Sequence, residues 1–193
     1  MMKKRILLVG CLLLAMGARA EVRHWIAEVD TVYMYGVDYS GVKAVGVDES
    51  ELRFVQVFEE INDLFLSQPE KYDCGSMINK TILVDIDPIC RHNTAADYSG
   101  MIQRRRNFSS SVDVVTAVAS YRLQETEGIG MVFIAELLDK GRGCAVHHVV
   151  CFDIATREVL FDRRIETKAG GFGLRNYWAN AVYQVIRLVR ISE

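Results

Sequence analysis

Beyond its first twenty residues, this 193-residue sequence has no apolar run long enough to cross a bilayer, no repeat, no low-complexity tract and no linker. A span needs about 20 consecutive apolar residues, so none is expected after that point. No two cysteines form a CxxC pair, which leaves a thioredoxin-like or zinc-ribbon site without support. Proline occurs only twice, at Pro69 and Pro88, and each is read as the end of an element. The GxGxxG and GxxxxGK phosphate signatures, the DxDxDG cation loop and the GxSxG nucleophile elbow are all missing. Those absences leave no motif-defined nucleotide, calcium or serine-hydrolase site.

The first twenty residues have three parts. Lys3, Lys4 and Arg5 make a basic start, Ile6 to Met16 an apolar run, and Ala18, Arg19, Ala20 a small-residue pattern. That order is the layout of a secretory signal peptide cut after Ala20, leaving a chain that starts at Glu21. A second reading makes Leu8, Val9, Gly10 and Cys11 a lipoprotein processing site with Cys11 lipidated. The short spacing from Arg5 and the apolar residues after Cys11 favour ordinary cleavage. Export implies a periplasmic or envelope-associated protein. Cleavage removes four basic residues and no acids, leaving 19 basic against 25 acidic residues, a net charge of −6. Such a balance gives no general attraction to nucleic acid or anionic lipid, because both need a positive field. The remaining 173 residues suit one domain with a core of its own.

Cys74, Cys90, Cys144 and Cys151 survive cleavage, and four thiols in an oxidising compartment allow three pairings. If Ala145 to Ile154 is one strand, Cys144 and Cys151 stand roughly 23 Å apart, beyond the ~6 Å reach of a bridge. Cys74 with Cys90, the cross-pairs and four free buried thiols all remain open.

The pattern along the chain alternates. Thr31 to Tyr39 reads as a strand, followed by a helix over Ser50 to Leu66 with Leu52, Val55, Phe58, Ile61 and Phe65 at helical steps and a capping box from Asp48 and Glu51. Pro69 ends it. Thr81 to Ile86 is nearly continuous in apolar residues, the mark of a parallel strand covered on both faces, and Pro88 closes it. Arg91 to Asn107 reads as a mobile loop. Ser109, Ser110 or Ser111 is expected to cap a second helix reaching about Tyr121. A three-strand meander over Met131 to Leu138, Ala145 to Ile154 and Glu158 to Ile165 comes next. A glycine run from Gly170 then opens a last helix, with Trp178, Ala181, Val182, Val185 and Val189 on one stripe. The expectation is one α/β domain, β-α-β-α-β-β-β-α, with a mixed sheet of about five strands and helices packed on it.

Three stretches carry a resemblance: Gly128 to Ile134, Cys151 to Leu160, and GGFGLRNYWANAVYQVI from Gly170 to Ile186. They resemble a family of exported bacterial α/β domains of unknown function. The element order is also similar to the small α/β domains at the N-termini of TolB and of the curli secretion lipoprotein. The resemblance implies envelope location and this fold, and brings no catalytic residues with it.

Three groups of residues could form sites. Asp38, Asp85 and Asp87 fall at the ends of two strands expected to be parallel neighbours, where open α/β sheets place ligands. Together they could hold a hard cation or share a proton; alternatively Asp38 and Asp87 cap turns and Asp85 points to a helix end or a basic partner. Gly171, Gly173, Arg175 and Asn176 open a helix whose free amides could hold an anion or a partner; alternatively they form a structural turn that lets Tyr177 and Trp178 pack under the sheet. Arg104, Arg105, Arg106 and Phe108 look like a phosphate patch or, more simply, a solvated loop. His147 and His148 point to opposite faces of one strand and cannot share a metal; one is expected to be hydrogen-bonded in the core and the other exposed. His24 and His92 fall in segments that the pattern does not place.

No nucleophile, base and orienting group are legible together, and no cofactor motif is present. The expected function is therefore an exported binding or assembly domain that does no chemistry and meets another envelope protein. The alternative is a metal-dependent hydrolase using Asp38, Asp85 and Asp87.

Overall fold

The structure, a computed structural model, describes residues 25–104 and 111–191. The signal peptide, Cys11, His24, Arg105, Arg106, Phe108, Ser109 and Ser110 lie outside these residues.

One mixed sheet of seven strands organises the chain. Strand β5 (Ile129–Asp139) is its centre. One edge of β5 pairs along its whole length with antiparallel β6 (Cys144–Asp153), which pairs in turn with antiparallel β7 (Val159–Lys168). This is the expected meander, with the outer two strands longer than expected and the middle one shifted by a single residue. The other edge of β5 is shared by two parallel strands placed end to end. β1 (Thr31–Asp38) pairs with its first half and β2 (Lys43–Val45) with its last three residues. Outside these lie β3 (Thr81–Val84), parallel to β1, and β4 (Ile102–Gln103), parallel to β2. The sheet therefore has five ranks made of seven strands, because two ranks are interrupted.

Helices cover both faces. On one face, α1 (Glu51–Asn62) and α6 (Leu174–Leu188) bury Phe54, Phe58, Ile61, Trp178 and Val182 against Met34, Met131 and Phe133. On the other, α5 (Val114–Ser120) brings Val114 and Val118, and α4 (Asp87–Ala95) brings Ile89, onto Tyr35, Val132 and Phe152. Two single-turn helices, α2 (Leu64–Ser67) and α3 (Gly75–Ile78), lie between α1 and β3.

Several expectations are corrected. The first long helix ends at Asn62 and resumes for one turn, and its cap is Ser50, whose hydroxyl accepts from the Arg53 amide; no Asp48–Glu51 box forms. Pro88 does not close an element but opens α4, where proline's missing donor costs nothing. The stretch from Arg91 on, expected as a loop, is therefore helical to Ala95. The second helix is capped by Asp113, which accepts from the Thr116 amide and hydroxyl, and not by a serine. β3 is parallel as expected but forms an edge, with Leu83 48% exposed, so it is not covered on both faces. All four described cysteines are free thiols.

The end of β1 is shaped by a bulge. Between Met34 and Val37 the register with β5 gains one residue at Gly36, whose φ is 90°. Tyr33 and Tyr35 face α4 and α5, and strict alternation would send Asp38 the opposite way. The extra residue reverses the parity, so Val37 enters the α1 core and Asp38 joins the α4–α5 side. Two buried asparagines fix this turn. Asn62 accepts from the Val37 amide at 2.7 Å and donates to the Val37 carbonyl at 3.0 Å. From the other face, Asn93 donates to the same carbonyl at 2.9 Å and accepts from the Tyr39 amide at 2.8 Å.

Candidate functional site

The re-aimed Asp38 lies beneath the site, behind His92. Its side chain is fully buried, and both carboxylate oxygens are engaged. Oδ2 accepts from the Tyr121 hydroxyl at 2.7 Å, and Oδ1 accepts from the Ser40 amide at 2.8 Å. Burial, then the Asp38 charge, pushes the Tyr121 hydroxyl well above the usual phenol range, so it stays a neutral donor. His92, on α4, stands edge-on to the Tyr121 ring, with centroids 5.3 Å apart. Its Nε2 lies 3.2 Å from the Ser40 hydroxyl and 3.9 Å from Asp38 Oδ2.

Asp38, His92 and Ser40 are the residue types of a hydrolytic triad, but their geometry differs. A triad base uses one ring nitrogen for the nucleophile and the other for the carboxylate. Here Nε2 faces both groups, and no proton can be relayed from one side of the ring to the other.

On the other side of His92, α4 and the end of α5 border a cavity of about 390 Å³. Arg91, His92 and Arg122 supply its polar wall, Pro88 and Ala95 its apolar wall, and Ser120 its far rim. It sits beyond the C-terminal ends of β1 and β3, where the crossovers of an open sheet part. A volume of this size holds a small molecule, and two guanidinium groups match carboxylate or phosphate oxygens in paired hydrogen bonds.

The other two expected carboxylates stand apart from Asp38. Asp85 Oδ1 accepts from the Asp87 amide at 3.2 Å, and partial burial with Glu125 and Asp87 nearby raises its pKa. Glu125 in turn accepts from the Tyr35 hydroxyl at 2.9 Å. Asp87 is exposed and lies 4.0 Å from Arg91. The structure thus makes Asp85 a turn cap and ties Asp38 into the core. Among the described residues, no group of three or more His, Cys, Asp or Glu side chains is placed to hold a metal ion.

The glycine run lies on the opposite face of the sheet. Gly173 caps α6 with φ 81°, and the Gly170 amide donates to the Tyr177 carbonyl, folding the run back along the first turn. A Cβ at Gly171 would meet the Asn176 carbonyl oxygen at 3.2 Å. The Arg175 guanidinium donates twice to Asn176 Oδ1, at 3.1 Å each. Trp178 packs under the sheet as expected. Arg104 is exposed.

A second polar network escaped the sequence pattern. Glu136 is the bulged residue of β5 and is 3% exposed, and it accepts two hydrogen bonds from Arg164, at 2.7 and 3.0 Å. His148 lies 3.3 Å from Glu136 through Nε2 and 2.8 Å from Asp162 through Nδ1. Neither histidine of the pair is exposed. His148 is the hydrogen-bonded one, and His147, in place of the expected exposed partner, is buried with no hydrogen-bond partner on either ring nitrogen among the described residues.

Among the described residues, no helix is long and apolar enough to cross a membrane. Comparison of the chain with family models, with curated proteins and with solved structures gives no match in any of the three. The functional reading therefore rests on the residues alone.

Proposed function

We propose that this chain is an exported, envelope-associated binding domain whose ligand is a small anion taken up between α4 and α5, and that it does no chemistry on that ligand. The observation that carries the proposal is the cavity wall of Arg91, His92 and Arg122, with His92 backed by a buried carboxylate whose two oxygens are each held by a protein donor. Asp38 is a structural anchor that positions Tyr121 and Ser40. The two guanidinium groups are the binding groups. A binding role in the envelope also agrees with the signal-like N-terminus and with the family resemblance of the C-terminal third.

Calorimetric titration with inorganic phosphate and with succinate tests the reading. The wild-type chain is expected to bind at least one of these, and Arg91→Gln/Arg122→Gln to lose that binding while unfolding at the same denaturant concentration. No heat with either anion, or equal binding by the double variant, overturns it. Hydrolysis of a phosphate or acyl ester that disappears in His92→Gln would replace it with an enzymatic role.

A further inference from the structure

The face of the sheet away from the cavity carries an exposed aromatic ring beside a band of cations. Phe172 is 96% exposed, the most exposed large hydrophobic side chain among the described residues. It stands at the tip of Gly170, Gly171 and Gly173, where no neighbour shields it. A shallow depression runs from Phe172 past Asn176 to Lys71, and a second continues from Lys71 past Tyr183 to Arg187 and Arg190. Lys71 Nζ lies 5.4 Å from the Tyr72 ring centre and 5.3 Å from that of Tyr183, and the Arg187 guanidinium stands 5.8 Å from that of Tyr183. Arg175 is close enough to Tyr72 to lower that hydroxyl's pKa, against a larger upward effect of burial. Glu70 and Asp73 border the same band, and Asp73 is occupied in accepting from the Gly75 amide.

The band thus gathers four cations and two acids, on a chain whose total is negative. Charges more than ~8 Å from a contact are screened at physiological salt, so the local sign governs what docks there. A single ring on a glycine-flanked tip, with cations set around it, has the composition of a membrane-interface anchor. The ring enters the headgroup layer while the cations meet anionic lipid. Phe172 is 96% exposed, so the ring is presented as a lone tip, the form that insertion into a headgroup layer needs.

We infer that this face is a peripheral docking surface for an anionic membrane leaflet, with Phe172 as the inserting residue and Lys71, Arg175 and Arg187 as the lipid-facing charges. This goes beyond the anion cavity and does not depend on it, since the two lie on opposite faces of the sheet. In the test, the chain is co-sedimented with vesicles of phosphatidylcholine alone and with about 30 mol % phosphatidylglycerol added, because one anionic lipid in three gives a strongly negative surface. Binding is expected only to the anionic vesicles, weakened at least tenfold by Phe172→Ser and by Lys71→Glu/Arg187→Glu, and lost at about 0.5 M salt, where screening is nearly complete. Phe172→Trp should shift its fluorescence to the blue on those vesicles. No binding to either vesicle, or undiminished binding by Phe172→Ser, overturns the inference. Binding to an acidic polypeptide such as polyglutamate without binding to vesicles also overturns it, and reassigns the face to a protein partner. Phosphate titration of the same variants leaves the cavity reading to be judged separately.

Discussion

Replacing His147 by leucine should make the protein less sensitive to acid. The imidazole is fully buried on β6 between Ala135 of β5 and Ile165 of β7, with neither nitrogen hydrogen-bonded among the described residues. Burial, and then the neighbouring His148, lowers its pKa from the ordinary 6.5 to about 4. Between those values the unfolded chain binds a proton that the folded chain does not, so stability rises with pH and falls as pH drops below 6.5. For one such group the loss relative to neutral pH is about 1 kcal/mol at pH 5.5 and about 2 kcal/mol at pH 4.5. At neutral pH the leucine variant should be at least as stable as the wild type, because unpaired buried polar atoms cost about 1–3 kcal/mol. Urea unfolding of both proteins at pH 7.5, 5.5 and 4.5 measures this directly. The difference between the two stabilities should widen in favour of leucine as pH falls. A difference that stays constant across the three pH values refutes the reasoning.

Three further outcomes follow from the same geometry. Gly36→Ala should cost roughly 3 kcal/mol in urea unfolding, because its Cβ would sit 2.4 Å from Asn62 Oδ1 at a φ of 90° and would break the clamp on Val37. Tyr121→Phe should cost about 2 kcal/mol, since it deletes a donor to the buried Asp38 carboxylate; an unchanged unfolding midpoint would mean that this bond adds nothing. Arg164→Ala should also cost about 2 kcal/mol by removing two hydrogen bonds to buried Glu136, and the penalty should shrink when Glu136→Gln is introduced with it.

The meander and the last helix were legible because their periodicities are strong and local. Ile129 to Ile165 alternates or runs apolar between glycines, and Trp178, Ala181, Val182 and Val185 repeat at helical steps. The parallel pairing of β1 with β3 was legible too, from a strand–helix–strand order. Pro88 was misread because the same residue stops a strand and starts a helix, and only the helix that follows distinguishes the two. β2 and β4, of three and two residues, are too short to carry a period. The cavity was hidden for a different reason. His92 and Tyr121 lie more than fifty and more than eighty positions from the Asp38 carboxylate they meet, and Asp38 reaches them only because a bulge reverses the alternation of its strand. Gly36 within an otherwise apolar strand was the one local signal of that bulge.

The proposal that the α4–α5 cavity receives an anion is tested most directly by an amide NMR titration of the wild-type chain with phosphate and then succinate. Saturable shifts centred on Arg91, His92 and Arg122, with the α6 face unmoved, are the predicted result. Shifts that never saturate, or that cluster at Gly171 to Asn176 while the cavity residues stay still, would contradict it.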